Sequence, residues 1–385
     1  MNYDAKFSSL DIMKDAIKMQ SGGNRQVLFD SVGLPTLTNY IPKFSLAGDV
    51  LPAFIIQSGT AQAGTASTIT LSANASAVDE KYQDLIITIT AGVGSGQSRE
   101  VASYNGTTKV CTMSDDWTTT PDNTSVYQVE IDGFYISTYQ NVVYNNKAYS
   151  LAGEDPEVYI DYDDAESACT AKGTGWHLQT NAEWSAIALW CVANSYLPRG
   201  NNNYGKDIAQ AHETGTVSHR YLSSGTLYQG RTMTGSGPAS WGHNNTPLGI
   251  ADLNGNIWEW VRGLKITDTL ATIQRQNNFE ELEADWLATV TDITGGMTSG
   301  NKILTLRSDA VFKNLSIPET SDGTGSATYG NDVYYFTATG ERVARRGGIW
   351  YYGTSAGVFA LSLNYTRTAS SSSIGFRSAF VSLKA

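Results

Sequence analysis

The chain has 385 residues, 41% of them hydrophobic and only 16% charged, with 37 glycines against 9 prolines. That length asks for two or three folding units. The composition is that of a β- and loop-rich globular protein, which excludes a coiled coil, a collagen or an extended disordered chain. Lys and Arg number 26 against 37 Asp and Glu, a net charge of −11, so a phosphate backbone would be repelled and no nucleic acid is expected as a partner.

Three cysteines, Cys111, Cys169 and Cys191, are too few for a disulfide framework and suit a chain folded in a reducing cytoplasm. The opening residues lack the basic-then-apolar order of a signal peptide. No stretch approaches the ~18 apolar residues that span a bilayer, so no membrane insertion is expected.

Leu10, Met13 and Ile17 recur at helical spacing, with Ser8 or Ser9 as cap and Gly22-Gly23 as stop. Residues 1–40 are therefore read as a helical segment, docked on its own domain or used for attachment. From 58 to 129 the texture turns to Thr, Ser, Ala and Gly, with short β-rich runs at 68–71, 85–90 and 110–113. Asn105-Gly106 predicts a type I′ hairpin turn. The run Gly92, Gly94, Gly96 lacks the lysine and following helix of a phosphate loop and is read as a turn between strands.

Beyond residue 130 the chain is rich in Trp and Tyr. Residues 161–172 predict a helix with Asp161 as cap and Gly173 at C′. Asp161, Asp163, Asp164 and Glu166 sit in or beside its first turn and serve cap and dipole better than a cation. Thr180-Asn181-Ala182-Glu183 is a capping box, followed by Trp184, Ile187, Ala188 and Cys191 on one face of a second helix. Residues 200–245 read as a loop with His212, His219 and His243 scattered on its surface, in no zinc spacing. Residues 265–340 form a second long irregular stretch, with strand character at 289–306.

Four motifs then occur in fixed order: VEIDGFYISTY (129–139), GWHLQTNAEW (175–184), GIADLNGNIWEW (249–260), and a last segment opening RVARRGGIW and closing IGFR (342–377). This order resembles the formylglycine-generating-enzyme-like branch of the C-type lectin fold. The resemblance implies an α+β, C-type lectin-like ligand-binding domain over 41–57 and 130–385. Residues 41–44 would be its first strand and 58–129 an inserted small all-β module.

Residues 347–377 (GGIWYYGTSAGVFALSLNYTRTASSSSIGFR) also resemble the variable region of a protein diversified by a retroelement, in which template adenines are randomised. Aligned to such regions, the variable positions are Ile349, Tyr351, Tyr352, Ser355, Ser362, Asn364, Tyr365, Ala369, Ser371 and Ser373. Each can be reached from AAC or AAT by adenine changes alone. Trp350, Gly357, Phe359, Leu361 and Gly375-Phe376-Arg377 stand where such proteins stay constant. Alternation predicts Phe359, Leu361 and Leu363 on an anchoring face, with Ala360, Ser362 and Asn364 on a free one. The Tyr and Ser content is that of a paratope.

Family enzymes use reactive cysteines late in the domain, and none follows Cys191 here; no Ser–His–acid or metal constellation is present either, so no catalytic residue is expected. In those enzymes the stretch matching 254–259 can help hold a structural calcium. Asn256 and Glu259 are suitable hard ligands, against the alternative of tight-turn packing, and no cofactor is otherwise expected. The resemblance implies a phage tail-tip adhesin that binds a bacterial cell-surface receptor, protein or glycan, and contacts other virion tail proteins. Assembly would be in the host cytoplasm. Proteins that look like this are often trimers, so a homo-oligomer is expected. A bacterial surface display protein and a structural virion protein with a fixed partner are the alternatives.

Overall fold

The computed structural model describes residues 25–46, 49–51, 55–131 and 133–382. The helical pattern at Leu10, Met13 and Ile17 lies outside them, but the rest of the segment read as helical is corrected: Arg25–Phe29 and Pro35–Pro42 are paired strands. The chain divides into two compact units, one of residues 42–134, 275–282 and 381–385, the other of residues 1–41, 135–274 and 283–380. Residues 275–282 thus group apart from their neighbours in sequence, a boundary no composition change marks.

The first unit is built on a seven-stranded sheet in the order Ile55–Thr60, Val126–Glu130, Ile86–Ala91, Ser98–Asn105, Val110–Met113, Thr68–Thr70 and Ala63–Gly64. Strict alternation puts Ile87, Ile89, Tyr127 and Val129 in its core, with polar Thr and Gln between them. Gly92, Gly94 and Gly96 all have positive φ and turn the chain between two of these strands. The Asn105 hairpin forms, but its loop runs from Gly106 to Lys109 instead of being a two-residue type I′ turn. Asn105 accepts from the Thr107 and Thr108 amides, and Lys109 holds the left-handed position. Gly106 is needed for space: a Cβ there would lie 2.3 Å from the Ala77 carbonyl oxygen.

The second unit is built on two larger sheets, with two-stranded pairs beside them. One orders Arg25–Phe29, Pro35–Pro42, Gly133–Ser137, Ser378–Phe380 and Trp176–Leu178, so Ser378–Phe380 lies between Gly133–Ser137 and Trp176–Leu178, antiparallel to both. Residues 41–44 do not form one strand: Ile41 and Pro42 finish the Pro35–Pro42 strand, and Phe44 begins another, because Pro42 has no amide to continue the ladder. The other sheet orders Leu287–Asp292, Leu270–Ile273, Trp258–Thr267, Glu341–Gly347, Gly357–Leu363 and Tyr334–Phe336, with Ile374–Phe376 pairing parallel to Trp258–Thr267.

Among the described residues two α-helices stand beside these strands. Tyr162–Thr170 is capped by Asp161, whose side chain accepts from the Asp164 amide. It ends at Ala171, two residues before Gly173, since Lys172 turns inward and lays its ammonium 3.1 Å from the Trp176 ring centroid. Asn181–Ala193 opens on the complete Thr180/Glu183 capping box and buries Trp184, Ile187, Ala188 and Cys191. The long stretches read as irregular hold more order than expected, including a hairpin of Arg220–Ser223 with Thr226–Gln229.

The four motifs interlock in the core. Arg377 is fully buried against Glu259, donating from Nε and Nη2 at 2.9 Å each, and also donates to the carbonyls of Ser137, Thr138 and Ala251. Arg346 donates to Asn181 Oδ1 and to the carbonyls of Leu315, Ser316 and Phe359. The Trp184 indole donates to Val358 O at 2.6 Å, and His177 Nε2 meets Glu183 Oε1 at 2.9 Å. Each motif therefore supplies a polar group that another motif satisfies, as buried charge requires.

Candidate ligand-binding surface

Residues 347–377 leave the sheet after the Glu341–Gly347 strand through two glycines at positive φ, Gly347 and Gly348. A Cβ on Gly348 would come within 2.5 Å of the Ala356 Cβ, so this turn tolerates no side chain. Trp350 then drops into the core with Trp258, Trp260, Ile374 and Phe376. Tyr351 and Tyr352 follow before a single 3-10 turn, Gly353–Ser355.

The chain re-enters the sheet as Gly357–Leu363, flanked by Glu341–Gly347 and Tyr334–Phe336. Asp332 is buried beneath its start, where Oδ2 accepts from the Phe359 amide at 2.7 Å, and burial lifts its carboxyl up to about 8. Gly357 is what lets the strand pass so close, since a Cβ there would lie 2.3 Å from the Asp332 carboxylate.

The loop from Asn364 to Ser373 is held chiefly through its main chain. Val343 N donates to Tyr365 O, Tyr162 N to Arg367 O, Tyr159 N to Ser371 O and Trp258 N to Ser373 O, while Arg231 Nη1 donates to Ser372 O. Arg367 adds a side-chain anchor by pairing with Asp163 and Glu283. Asp163 is therefore an ion-pair partner, and Glu166 pairs with Arg262 in the same way; among the described residues no group of three or more His, Cys, Asp or Glu forms a metal cluster.

The ten sequence-predicted positions divide by exposure. Tyr351 and Tyr365 are exposed, at 46% and 43%. Tyr352, Ser355, Asn364, Ala369, Ser371 and Ser373 are half-buried. Ile349 and Ser362 are buried, at 2% and 0%, which corrects their reading as surface positions. Ile349 joins the Trp-rich core behind the turn. Ser362 lies in a strand buried along its whole length, because both neighbouring strands flank it and the Arg345 guanidinium caps its outward side. Ala360 is covered as well, so the strand has no free face.

The exposed tyrosines belong to a wider aromatic field. Tyr351 packs on Trp350, Tyr352 and Tyr204 at centroid distances of 5.7, 5.4 and 6.3 Å. Tyr204 continues to Tyr228, which pairs across its hairpin with Tyr221, and Tyr352 continues to Tyr335 and Trp258. Tyr204, Tyr221, Tyr228 and Tyr335 were not anticipated. The signal for two of them was present in the near-palindrome YLSSGTLY (221–228), whose Ser224-Gly225 both adopt the positive φ of a tight hairpin turn. That hairpin also exposes Leu222 and Leu227.

Arg345 lies directly under the field. Its guanidinium carbon sits 3.9 Å from the Tyr365 ring centroid and 5.4 and 5.3 Å from those of Trp258 and Trp260. Nη2 donates to Ser362 Oγ at 2.9 Å and Asn364 Oδ1 at 3.0 Å. Burial pushes the guanidinium down to about 10, with Tyr365 and Tyr352 offsetting part of that.

Other expected groups are accounted for differently. Asn256 Oδ1 accepts from the Thr232 amide and Asn201 Nδ2, and both Glu259 oxygens accept from Arg377, one also from Gln140. These oxygens face N–H donors and do not fit a calcium ion. Of the loop histidines only His212 is exposed. His243 is buried, accepts from the Ile250 amide, and is pushed down to about 4 by desolvation. All three cysteines are free and buried, and burial raises each thiol, that of Cys191 to about 12. Among the described residues no helix is long and apolar enough to cross a membrane.

The architecture is mostly β with few helices and is C-type lectin-like. Residues 53–380 match the family described as Sulfatase-modifying factor enzyme 1-like domain, FGE-sulfatase, and the chain belongs to that family. No curated protein matches it. Among solved structures the chain is similar to Major Tropism Determinant I1 Variant, at 14% identity over 94% of this chain and 82% of that one, with a TM-score of 0.30. It is also similar to PvdO from Pseudomonas aeruginosa, at 13% identity over 92% and 98% with a TM-score of 0.34.

Proposed function

We propose that this chain is a retroelement-diversified ligand-binding protein, a phage tail adhesin that uses the surface around Tyr351, Tyr352 and Tyr365 to recognise a receptor on the bacterial cell. On this reading it acts by binding and not by catalysis. No late cysteine is present, and the buried thiols hold no thiolate for oxidation chemistry. Residues 58–129 are read as a module inserted into the domain. The protein is read as a homo-oligomer, a trimer in keeping with the proteins its variable region resembles, seated among other tail proteins so that several weak sites act together.

One observation carries the reading. The segment that spells the diversified pattern is fixed by bonds to its main chain and by Trp350, Phe359, Leu361 and Phe376, while exposed tyrosines project from it. Main-chain anchoring is indifferent to the side chain above it, which is what repeated rewriting of those codons needs. Tyrosine supplies large contact area with few rotors.

The test is deep sequencing of codons 340–385 in a growing population that carries the gene. Changes confined to template-adenine positions, centred on the ten residues, are expected. An invariant segment in a population with an active reverse transcriptase would overturn diversification.

A further inference from the structure

We propose that Ser362, although buried, is a specificity-determining position that acts through Arg345 on the exposed ring of Tyr365. This rests on the reading of residues 362, 364 and 365 as variable positions.

Ser362 is 0% exposed and cannot touch a ligand. Its hydroxyl nevertheless accepts from Arg345 Nη2, and it donates to Asn364 Oδ1, which accepts from the same nitrogen. Arg345 is itself buried, and its Nε has no hydrogen-bond partner. Among the described residues the groups that act on it electrostatically are Tyr365 and Tyr352, both rings of the candidate surface, and no carboxylate is one of them. The guanidinium is thus held in place by two neutral oxygens and three aromatic faces, of which only the Tyr365 face is at the surface.

A guanidinium so weakly fixed follows its strongest acceptor. With Ser362 its carbon lies 3.9 Å from the centroid of the Tyr365 ring. An aspartate at 362, which adenine changes in the same codon can produce, offers a carboxylate in place of a hydroxyl, and a charge-assisted pair outweighs both a neutral hydrogen bond and a cation–π contact. The guanidinium then turns toward the strand and releases the ring. An apolar residue at 362 removes one acceptor and leaves Asn364 as the only one. A change written beneath the surface is in this way expressed on it, and Arg345 is the positioning residue that transmits it.

The full chain labelled with 3-fluorotyrosine tests this by fluorine NMR, with the Tyr365 resonance assigned by its loss in Tyr365→Phe. In Ser362→Ala the Tyr365 resonance is expected to shift, with those of Tyr204 and Tyr228 unmoved. Ile349→Val, a similarly buried change at a position of the same set whose side chain makes no hydrogen bond to Arg345, is expected to leave it in place. A Tyr365 resonance that stays put in Ser362→Ala overturns the coupling. Equal movement in Ile349→Val overturns it too, since general repacking would then account for both. Ser362→Ala removes one hydroxyl and keeps the fold, so the result does not hang on the bulkier Ser362→Asp. Neither result depends on whether the codons vary in a population, so failure of the coupling and failure of diversification are read separately.

Discussion

Trp350 and Tyr351 are adjacent in sequence and opposite in role, so truncating each in turn tests the division between anchor and display. Trp350 is 3% exposed among Trp258, Trp260, Ile374 and Phe376. Removing such a ring leaves a cavity its rigid neighbours cannot close, at a cost of about 3–5 kcal/mol. Tyr351 is 46% exposed. It buries roughly half of the ~200 Å² an aromatic side chain carries. At ~25 cal/mol per Å² that gives an upper bound of about 2.5 kcal/mol, and a compact unfolded chain brings it nearer 1.5–2. Urea unfolding of Trp350→Ala and Tyr351→Ala, followed by near-UV circular dichroism, reports the difference as a shift in midpoint at constant slope. Equal destabilisation by the two variants would refute the division.

The buried Arg377–Glu259 pair makes a sharper case: Arg377→Gln strands a carboxylate in the core and is expected to cost about 3–5 kcal/mol in the same assay, or to prevent folding. Because Asn256 and Glu259 already accept from N–H donors, added calcium or chelator is expected to leave the melting temperature unchanged; a rise with calcium would place an ion where the hydrogen bonds now stand. Asp332 ties stability to pH. Burial raises its carboxyl from 3.8 to about 8, so the folded state holds the proton more tightly than the unfolded one. Its contribution is full below about pH 4 and lost as pH rises toward 8, with a limiting slope of about 1.4 kcal/mol per pH unit. Asp332→Asn should flatten that decline between pH 5 and 8, and a variant with the parent's slope would exclude Asp332 as its source.

Much of the scaffold was legible because its signals are local. The Thr180/Glu183 box, the Asp161 cap, the glycine turn at 92–96 and the alternation of the Val126–Glu130 strand each follow from a few neighbouring residues. The interlock was legible only as four motifs in order. That Arg377 seeks Glu259, and Arg346 seeks Asn181, is a matter of residues over a hundred positions apart. The surface was legible in outline, since Tyr351 and Tyr365 project as expected. Ser362 was misplaced because alternation identifies two faces of a strand without saying whether a neighbour covers the second. Here Arg345, opposite Ser362 in the adjacent strand, does so. His243 was misplaced for a related reason: a glycine- and asparagine-rich loop reads as solvated, yet this one folds back and hands the ring a buried amide.

On the proposed reading, the way the buried residues grip the segment ranks how far each proposed variable position can change. Trp184 bonds to Val358 O, Arg346 to Phe359 O, and Asp332 to Phe359 N, all main-chain atoms that any residue presents. Tyr351 and Tyr365 stand outside these bonds with their side chains about half exposed, so truncating either costs less than the ~3–5 kcal/mol of removing a packed core ring. Ile349 and Ser362 belong to the same proposed set of variable positions but lie in the packed interior, where volume and polarity both matter. Of these two, Ser362 has its side chain bonded into the fixed network, through Arg345. In a surface-displayed library randomised at one position at a time and selected for protease resistance alone, Tyr351 and Tyr365 are expected to accept most residues. Ile349 should keep to aliphatic ones, and Ser362 to small or hydrogen-bonding ones. If all four positions proved equally permissive, fixed anchoring of the main chain would not be what allows this surface to vary.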